Sequence, residues 1–267
     1  MIHRFCVAPM MDRTDRHERY FLRLLTKEAF LYTEMIHSNA IVYGNKENLL
    51  KYSSLEHPLG VQLGGSEPNS LREASICAED YGYKEINLNI GCPSSRVKAG
   101  NFGAVLMKEP KLVANCIKEI KRHISIPVTI KCRIGVDDME EKDFFSFIDT
   151  VKDSGCSTFI IHARKALLKG LSPKENREIP PLNYNIVYEL KQKNPELEII
   201  LNGGINNLED GCKNLKNLDG VMMGRNAYSD PFHLSRVDST FYEKKDMNLS
   251  KQEVFLKFIP SLQKELE

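Results

Sequence analysis

Eight short apolar runs, helical patterns between most of them and a length of 267 residues predict an α/β protein, a closed (β/α)8 TIM barrel. One such barrel takes about 250 residues, so a single domain and a short tail would use the chain. The predicted strands are Phe5–Ala8, Ala29–Met35, Leu59–Leu63, Glu85–Ile90, Val128–Cys132, Thr158–His162, Glu198–Leu201 and Gly220–Met223. They suit burial on both faces, as a parallel sheet requires. The predicted helices are Glu18–Thr26, Pro68–Asp80, Pro110–His123, Lys142–Ser154, Tyr184–Gln192 and Asn207–Leu215. Ser66 and Glu67 suit a helix start ahead of Pro68. Leu112, Cys116, Ile117 and Ile120 recur at the spacing of one helical face. An open doubly wound sheet is the rival arrangement. Its dinucleotide-binding form lacks support, because no G-x-G-x-x-G follows the first strand.

The pattern changes after Asp238. Tyr242–Asn248 is polar and loop-like, and Lys251–Leu266 resumes a helical pattern through Val254, Phe255, Phe258, Ile259 and Leu262. Residues 1–238 are expected to form the barrel. Residues 239–267 are expected to be a linker and the first part of a helical unit that is incomplete at Glu267.

Composition sets the remaining bounds. The net charge of +1 neither demands nor excludes a polyanionic partner, so nucleic-acid binding would need a local basic patch. The seven cysteines are odd in number and none are spaced C-x-x-C, which argues against a disulfide framework and a zinc site. A reduced, cytoplasmic protein without a metal is expected, and a monomer. No apolar run is long enough for a membrane span, and none of signal-peptide length precedes Pro9.

Barrels carry their chemistry where the strands end at the C-terminal face. The first strand leads into Pro9-Met10-Met11, the third into Gln62-Leu63-Gly64, and the fourth into Asn89-Ile90-Gly91-Cys92-Pro93. The last two lead into Asn202-Gly203-Gly204 and Gly224-Arg225. Those glycines admit close backbone approach, and the amides after strands seven and eight form the barrel's usual phosphate site, with Arg225 able to add a charge-assisted bond. Two plain glycine turns are the alternative. Lys131 sits on an otherwise apolar strand and should point to the mouth. It either meets an anion, such as a flavin N1–O2 edge, or snorkels to solvent. His162 closes the next strand, as a ligand contact or a structural histidine, and Gln62 offers an amide that suits a flavin or pyrimidine edge. Cys92 lies in a loop between glycine and proline, where a thiol can serve as acid or nucleophile; the other six read as buried apolar residues. Arg96, Lys98, Arg164, Lys165, Lys169, Lys174 and Arg177 cluster on loops of the same rim, as a phosphate-binding patch or a solvated face.

These strings resemble the tRNA-dihydrouridine synthase family, and within it the DusA type. The resemblance runs through Ala8–His17, Leu31–Met35, Gln62–Gly65, Asn87–Ser94, Gly100–Ala104, His162–Ala166, Gly170–Arg177, Asn202–Ile205 and Asp219–Arg225. It implies an oxidoreductase in which NADPH or NADH reduces FMN, and uridine in the tRNA D loop, at positions 20 and 20a, becomes 5,6-dihydrouridine. Hydride would pass from flavin to C6 and a proton from Cys92 to C5 of the everted base. The implied FMN residues are Pro9, Met10, Met11, Gln62, Lys131, His162, Asn202, Gly203, Gly204, Gly224 and Arg225. The implied tRNA contacts are Asn89, Lys174 and Arg177. The competing readings are a non-catalytic tRNA-binding or chaperone protein and a barrel flavoprotein acting on free pyrimidines.

Overall fold

The structure, a computed structural model, describes residues 3–263. Eight strands form one parallel sheet: β1 (Phe5–Val7), β2 (Leu31–His37), β3 (Leu59–Gly64), β4 (Ile86–Ile90), β5 (Val128–Arg133), β6 (Thr158–His162), β7 (Glu198–Asn202) and β8 (Gly220–Met223). They pair in the order β1-β8-β7-β6-β5-β4-β3-β2. The two end strands also meet, because Val7 N donates to Phe30 O and Phe30 N to Phe5 O, each at 2.9 Å. The sheet is therefore a closed barrel, and the open-sheet rival is excluded.

Two cores follow from the alternation of side chains along each strand. The larger lies between the strands and the surrounding helices, where Phe144, Phe147, Ile148 and Val151 of helix Glu141–Lys152 are fully buried. Burial stabilises by roughly 1.5–3 kcal/mol for each large apolar side chain. The smaller core fills the barrel with Cys6, Ala8, Phe30, Tyr32, Ile160, Ile200 and Met222. On the β3–β5 side the interior is polar instead, with Gln62, Asn87 and Thr129 all buried.

Helices Pro68–Asp80, Pro110–Lys121, Tyr184–Lys193 and Leu208–Asn214 lie within two residues of their predicted bounds. Glu67 caps the first of them by accepting from Asn69 N and Ser70 N. The first helix differs more, running Arg16–Arg23 rather than Glu18–Thr26. Asp15 starts it by accepting from His17 N and Glu18 N, and the Arg23 guanidinium gathers the carbonyls of Thr26, Ala29 and Glu56 as the chain turns away. Helices Ser38–Tyr43 and Lys46–Leu50 were not predicted; each is too short to show a helical period.

Helix Lys251–Gln263 follows the polar stretch expected after Tyr242, and residues 264–266 of the predicted helix lie outside the described residues. It packs on the first helix, with Val254 buried and Phe258 edge-on to Phe21 at 5.2 Å. Among the described residues no helix is long and apolar enough to cross a membrane.

Candidate functional site

The C-terminal ends of the strands open into a cavity of about 1570 Å³. Every residue that the sequence proposed for the cofactor lines it, together with Asn89, Cys92 and Arg177. Strands β5–β8 and the loops after them supply a cationic wall of Lys131, Arg133, Arg164, Arg177 and Arg225, with His162 among them. Lys131 donates to Asn202 Oδ1 at 3.0 Å, and Asn202 donates in turn to Met222 O. Among the described residues Lys131 makes no ion pair. Burial, then the charge of Arg133, pushes its ammonium from 10.5 down to about 8. An enclosed lysine without a carboxylate fits an anionic ligand. His162 is held well below its ordinary 6.5, first by burial and then by Arg133, Lys131, Arg164 and Arg177. It is therefore neutral at pH 7 and keeps one donor and one acceptor.

The glycines at the ends of β7 and β8 do different things. Gly203 and Gly204 have φ of 98° and 74°, and a Cβ on Gly203 would overlap the His162 ring. Tyr184 Oη fixes this turn by donating to Gly203 O at 2.7 Å. A Cβ on Gly224 would meet nothing within 4 Å, so that glycine leaves open room on the cavity wall. Arg225 beside it pairs with Glu178 Oε1 at 2.6 Å. On the other side of the mouth, Met10 N donates to Thr14 Oγ1 at 3.0 Å, which folds the Pro9–Met11 segment back, and Met11 stays half exposed.

Cys92 stands on a tight turn. Asn89 Oδ1 accepts from Gly91 N at 3.1 Å and from Cys92 N at 2.9 Å, while Asn89 Nδ2 donates to Gln62 Oε1 at 2.8 Å. Asn89, implied as an RNA contact, thus has both ends of its amide engaged in shaping the turn. Cys92 O accepts from Ala104 N at 2.9 Å, and its thiol is partly exposed to the cavity. All seven cysteines are free.

Arg133 was given no role by the sequence. Its guanidinium donates to Gly91 O, Lys165 O and Asn176 O at 3.0, 3.1 and 2.9 Å, tying together the turn and both parts of the loop after β6. Burial pushes its pKa from 12.5 to about 10. The alternation Lys131-x-Arg133 could have signalled it, since both face the mouth. The basic rim is more divided than the sequence suggested. Arg96, Arg164 and Arg177 line the cavity, while Lys98, Lys165, Lys169 and Lys174 do not. Lys165 is spent on Met139 O and Arg164 on Pro180 O. Lys174 is exposed at the start of the turn that carries Arg177.

A barrel mouth that sets a half-buried lysine without a carboxylate partner beside the glycines at the ends of β7 and β8 suits an enzyme with an anionic ligand. A neighbouring thiol on a fixed turn leaves room for a second reactant. The chain belongs to the dihydrouridine synthase (Dus) family, whose profile matches residues 6–267. It is 50% identical over 264 residues to the tRNA-dihydrouridine(20/20a) synthase of Shewanella oneidensis, covering 98% of this chain and 78% of the relative. The protein of that name from Escherichia coli strain K12 is 52% identical over 265 residues, covering 98% and 76%. That from Synechocystis is 48% identical over 266 residues, covering 99% and 80%. A solved 2-naphthoyl-CoA reductase complex superposes with a TM-score of 0.67 over 88% of this chain and 49% of the other, at 10% identity, which speaks for the barrel fold alone.

Proposed function

We propose that this protein reduces uridine to 5,6-dihydrouridine in the D loop of tRNA, at positions 20 and 20a, with FMN as its flavin and NADPH or NADH as reductant. Family membership supports the reaction class. The observation that carries the site is that one cavity holds the Cys92 turn, Lys131 and the glycines after β7 and β8. When bound, FMN supplies the reducing equivalents for the C5–C6 bond of the base. The chain's own residues do the rest. Pro9, Met10, Met11 and Gln62 would hold the flavin ring from the β1 and β3 side. Lys131, hydrogen-bonded to Asn202, offers a fixed positive charge to the ring edge that becomes anionic on reduction, and neutral His162 offers a hydrogen bond. The Gly203, Gly204 and Gly224 backbones would take the phosphate, with Arg225 exchanging its Glu178 partner for it. Cys92 Sγ gives a proton to C5 of the base.

Arg177 and Lys174 lie on the rim turn where phosphates of the tRNA would pass. Helix Val237–Tyr242 still packs on the barrel through Phe241, so within residues 239–267 the linker reads as residues 243–250 and helix Lys251–Gln263 as the first helix of a tRNA-gripping unit. The location that fits is the cytoplasm, where tRNA and reductant meet and thiols stay reduced.

The test is Cys92→Ala, assayed on tRNA from a strain lacking dihydrouridine. Retained flavin absorbance with at least a hundredfold loss of product is the expected outcome. Normal product yield would remove Cys92 as proton donor.

A further inference from the structure

An unbroken series of hydrogen bonds runs through the barrel interior from the N-terminal ends of the strands to the Cys92 turn. At the closed end, His3 sits between two carboxylates. Its Nδ1 meets Glu198 Oε2 at 3.0 Å, and its Nε2 meets Glu85 Oε2 at 2.7 Å as an ion pair rather than an aligned hydrogen bond. Glu85 Oε1 accepts from Thr129 Oγ1 at 2.6 Å and from Tyr32 Oη at 2.8 Å. Thr129 Oγ1 accepts from Asn87 Nδ2 at 2.8 Å. Asn87 Oδ1 accepts from Gln62 Nε2 at 2.8 Å. Gln62 Oε1 accepts from Asn89 Nδ2 at 2.8 Å, and Asn89 Oδ1 accepts from the amides of Gly91 and Cys92. Glu85, Thr129, Asn87 and Gln62 are each at most 1% exposed.

The direction of the series is forced. A carboxylate only accepts, so Thr129 must spend its single proton on Glu85 and take the next bond as an acceptor. Asn87 must then turn its NH2 to Thr129 and its oxygen to Gln62, and the same choice passes to Gln62 and to Asn89. Were one amide reversed, each later one would reverse too, and Asn89 would face two backbone N–H donors with its own NH2. The turn would lose both of its bonds, leaving polar groups in poor pairing.

We propose that Thr129 and Glu85 are positioning residues for the Cys92 turn, acting through the amide orientations of Asn87, Gln62 and Asn89. The same series fixes which side of Gln62 offers a donor and which an acceptor to the cavity. The catalytic consequence rests on the reading of Cys92 given above; the structural one does not.

The test uses the whole flavin-free protein. Hydrogen exchange is read at Gly91 N and Cys92 N in the unchanged chain, in Thr129→Val and in Thr129→Ser. In the unchanged chain both amides exchange as slowly as the sheet amides, despite lying in an irregular turn. Thr129→Val speeds both by about tenfold, the factor one ordinary hydrogen bond represents, while Ile199 N on the far side of the barrel keeps its rate. Thr129→Ser, which retains the hydroxyl, restores slow exchange. Fast exchange in the unchanged chain overturns the proposal with no variant needed. So does a Thr129→Val protein whose turn is unchanged, or whose core amides all speed alike. With flavin restored, Thr129→Val lowers kcat about tenfold and leaves KM for tRNA unchanged; a change in KM alone counts against the proposal. An unchanged chain that makes no dihydrouridine would defeat the functional reading, while the exchange rates would still judge the series.

Discussion

Replacing Lys131 by methionine should stabilise the flavin-free protein and weaken its hold on flavin. The ammonium is enclosed without a carboxylate, and its pKa falls from 10.5 to about 8. At about 1.4 kcal/mol per tenfold change in proton affinity, keeping that charge at pH 7 costs the folded state roughly 3 kcal/mol. The lost hydrogen bond to Asn202 returns about 1 kcal/mol of this. Lys131→Met should therefore be more stable by about 2 kcal/mol in urea unfolding at pH 7. The pH dependence carries a sign. Between pH 8 and 10.5 the unfolded chain holds a proton that the folded one has released, so the unchanged protein gains stability as pH rises. The gap between the two proteins should be full below pH 8, close near about pH 9.5, and leave the parent the more stable by about 1 kcal/mol, the worth of its hydrogen bond, above about pH 10.5. FMN affinity should drop at least about tenfold, because the positive charge proposed to face the flavin ring is gone. A variant that is no more stable at pH 7, or that binds flavin as well as before, would refute the assignment of Lys131 to an anionic ligand.

Two further substitutions probe the frame around the site. His3→Gln removes an imidazolium whose pKa, despite burial, is pushed up to about 9 by Glu198 and Glu85. Its contribution, on the order of 3 kcal/mol, is fully present below about pH 6.5 and fades as pH rises through 9, so urea midpoints for variant and parent should differ most at pH 6 and converge near pH 10. Arg133→Met leaves the carbonyls of Gly91, Lys165 and Asn176 without their donor. Earlier proteolytic cutting within residues 164–178 is expected, while the three lost bonds are set against the roughly 3 kcal/mol that keeping the buried charge costs; an uncut loop would deny Arg133 its tying role.

The barrel was legible because a parallel sheet buried on both faces writes itself as β-branched runs. Thr158–His162 and Gly220–Met223 were located to the residue. The glycine pairs and the Gly91-Cys92-Pro93 loop stood out because those residue types have few uses at a strand end. The interior polar series was not legible. Glu85-x-Asn87-x-Asn89 and Thr129-x-Lys131-x-Arg133 do alternate, but a strand read as buried on both faces gives no hint that one face is amide and carboxylate. Which amide meets which is set by the register between β3, β4 and β5, a tertiary fact. The same holds for Arg225 and Glu178, 47 residues apart in sequence yet paired. The rim lysines show the opposite limit. Charge clustering in sequence placed seven basic residues around the mouth, but it could not tell Arg177, which faces the cavity, from Lys165, which is spent on a backbone carbonyl.

The most direct measurement is to supply the purified protein with FMN and NADPH, incubate it with unmodified tRNA, and map dihydrouridine along the product by mass spectrometry. Conversion confined to positions 20 and 20a, abolished when Cys92 is replaced, is what the proposed function predicts. Flavin-loaded protein that leaves every D-loop uridine intact would contradict it.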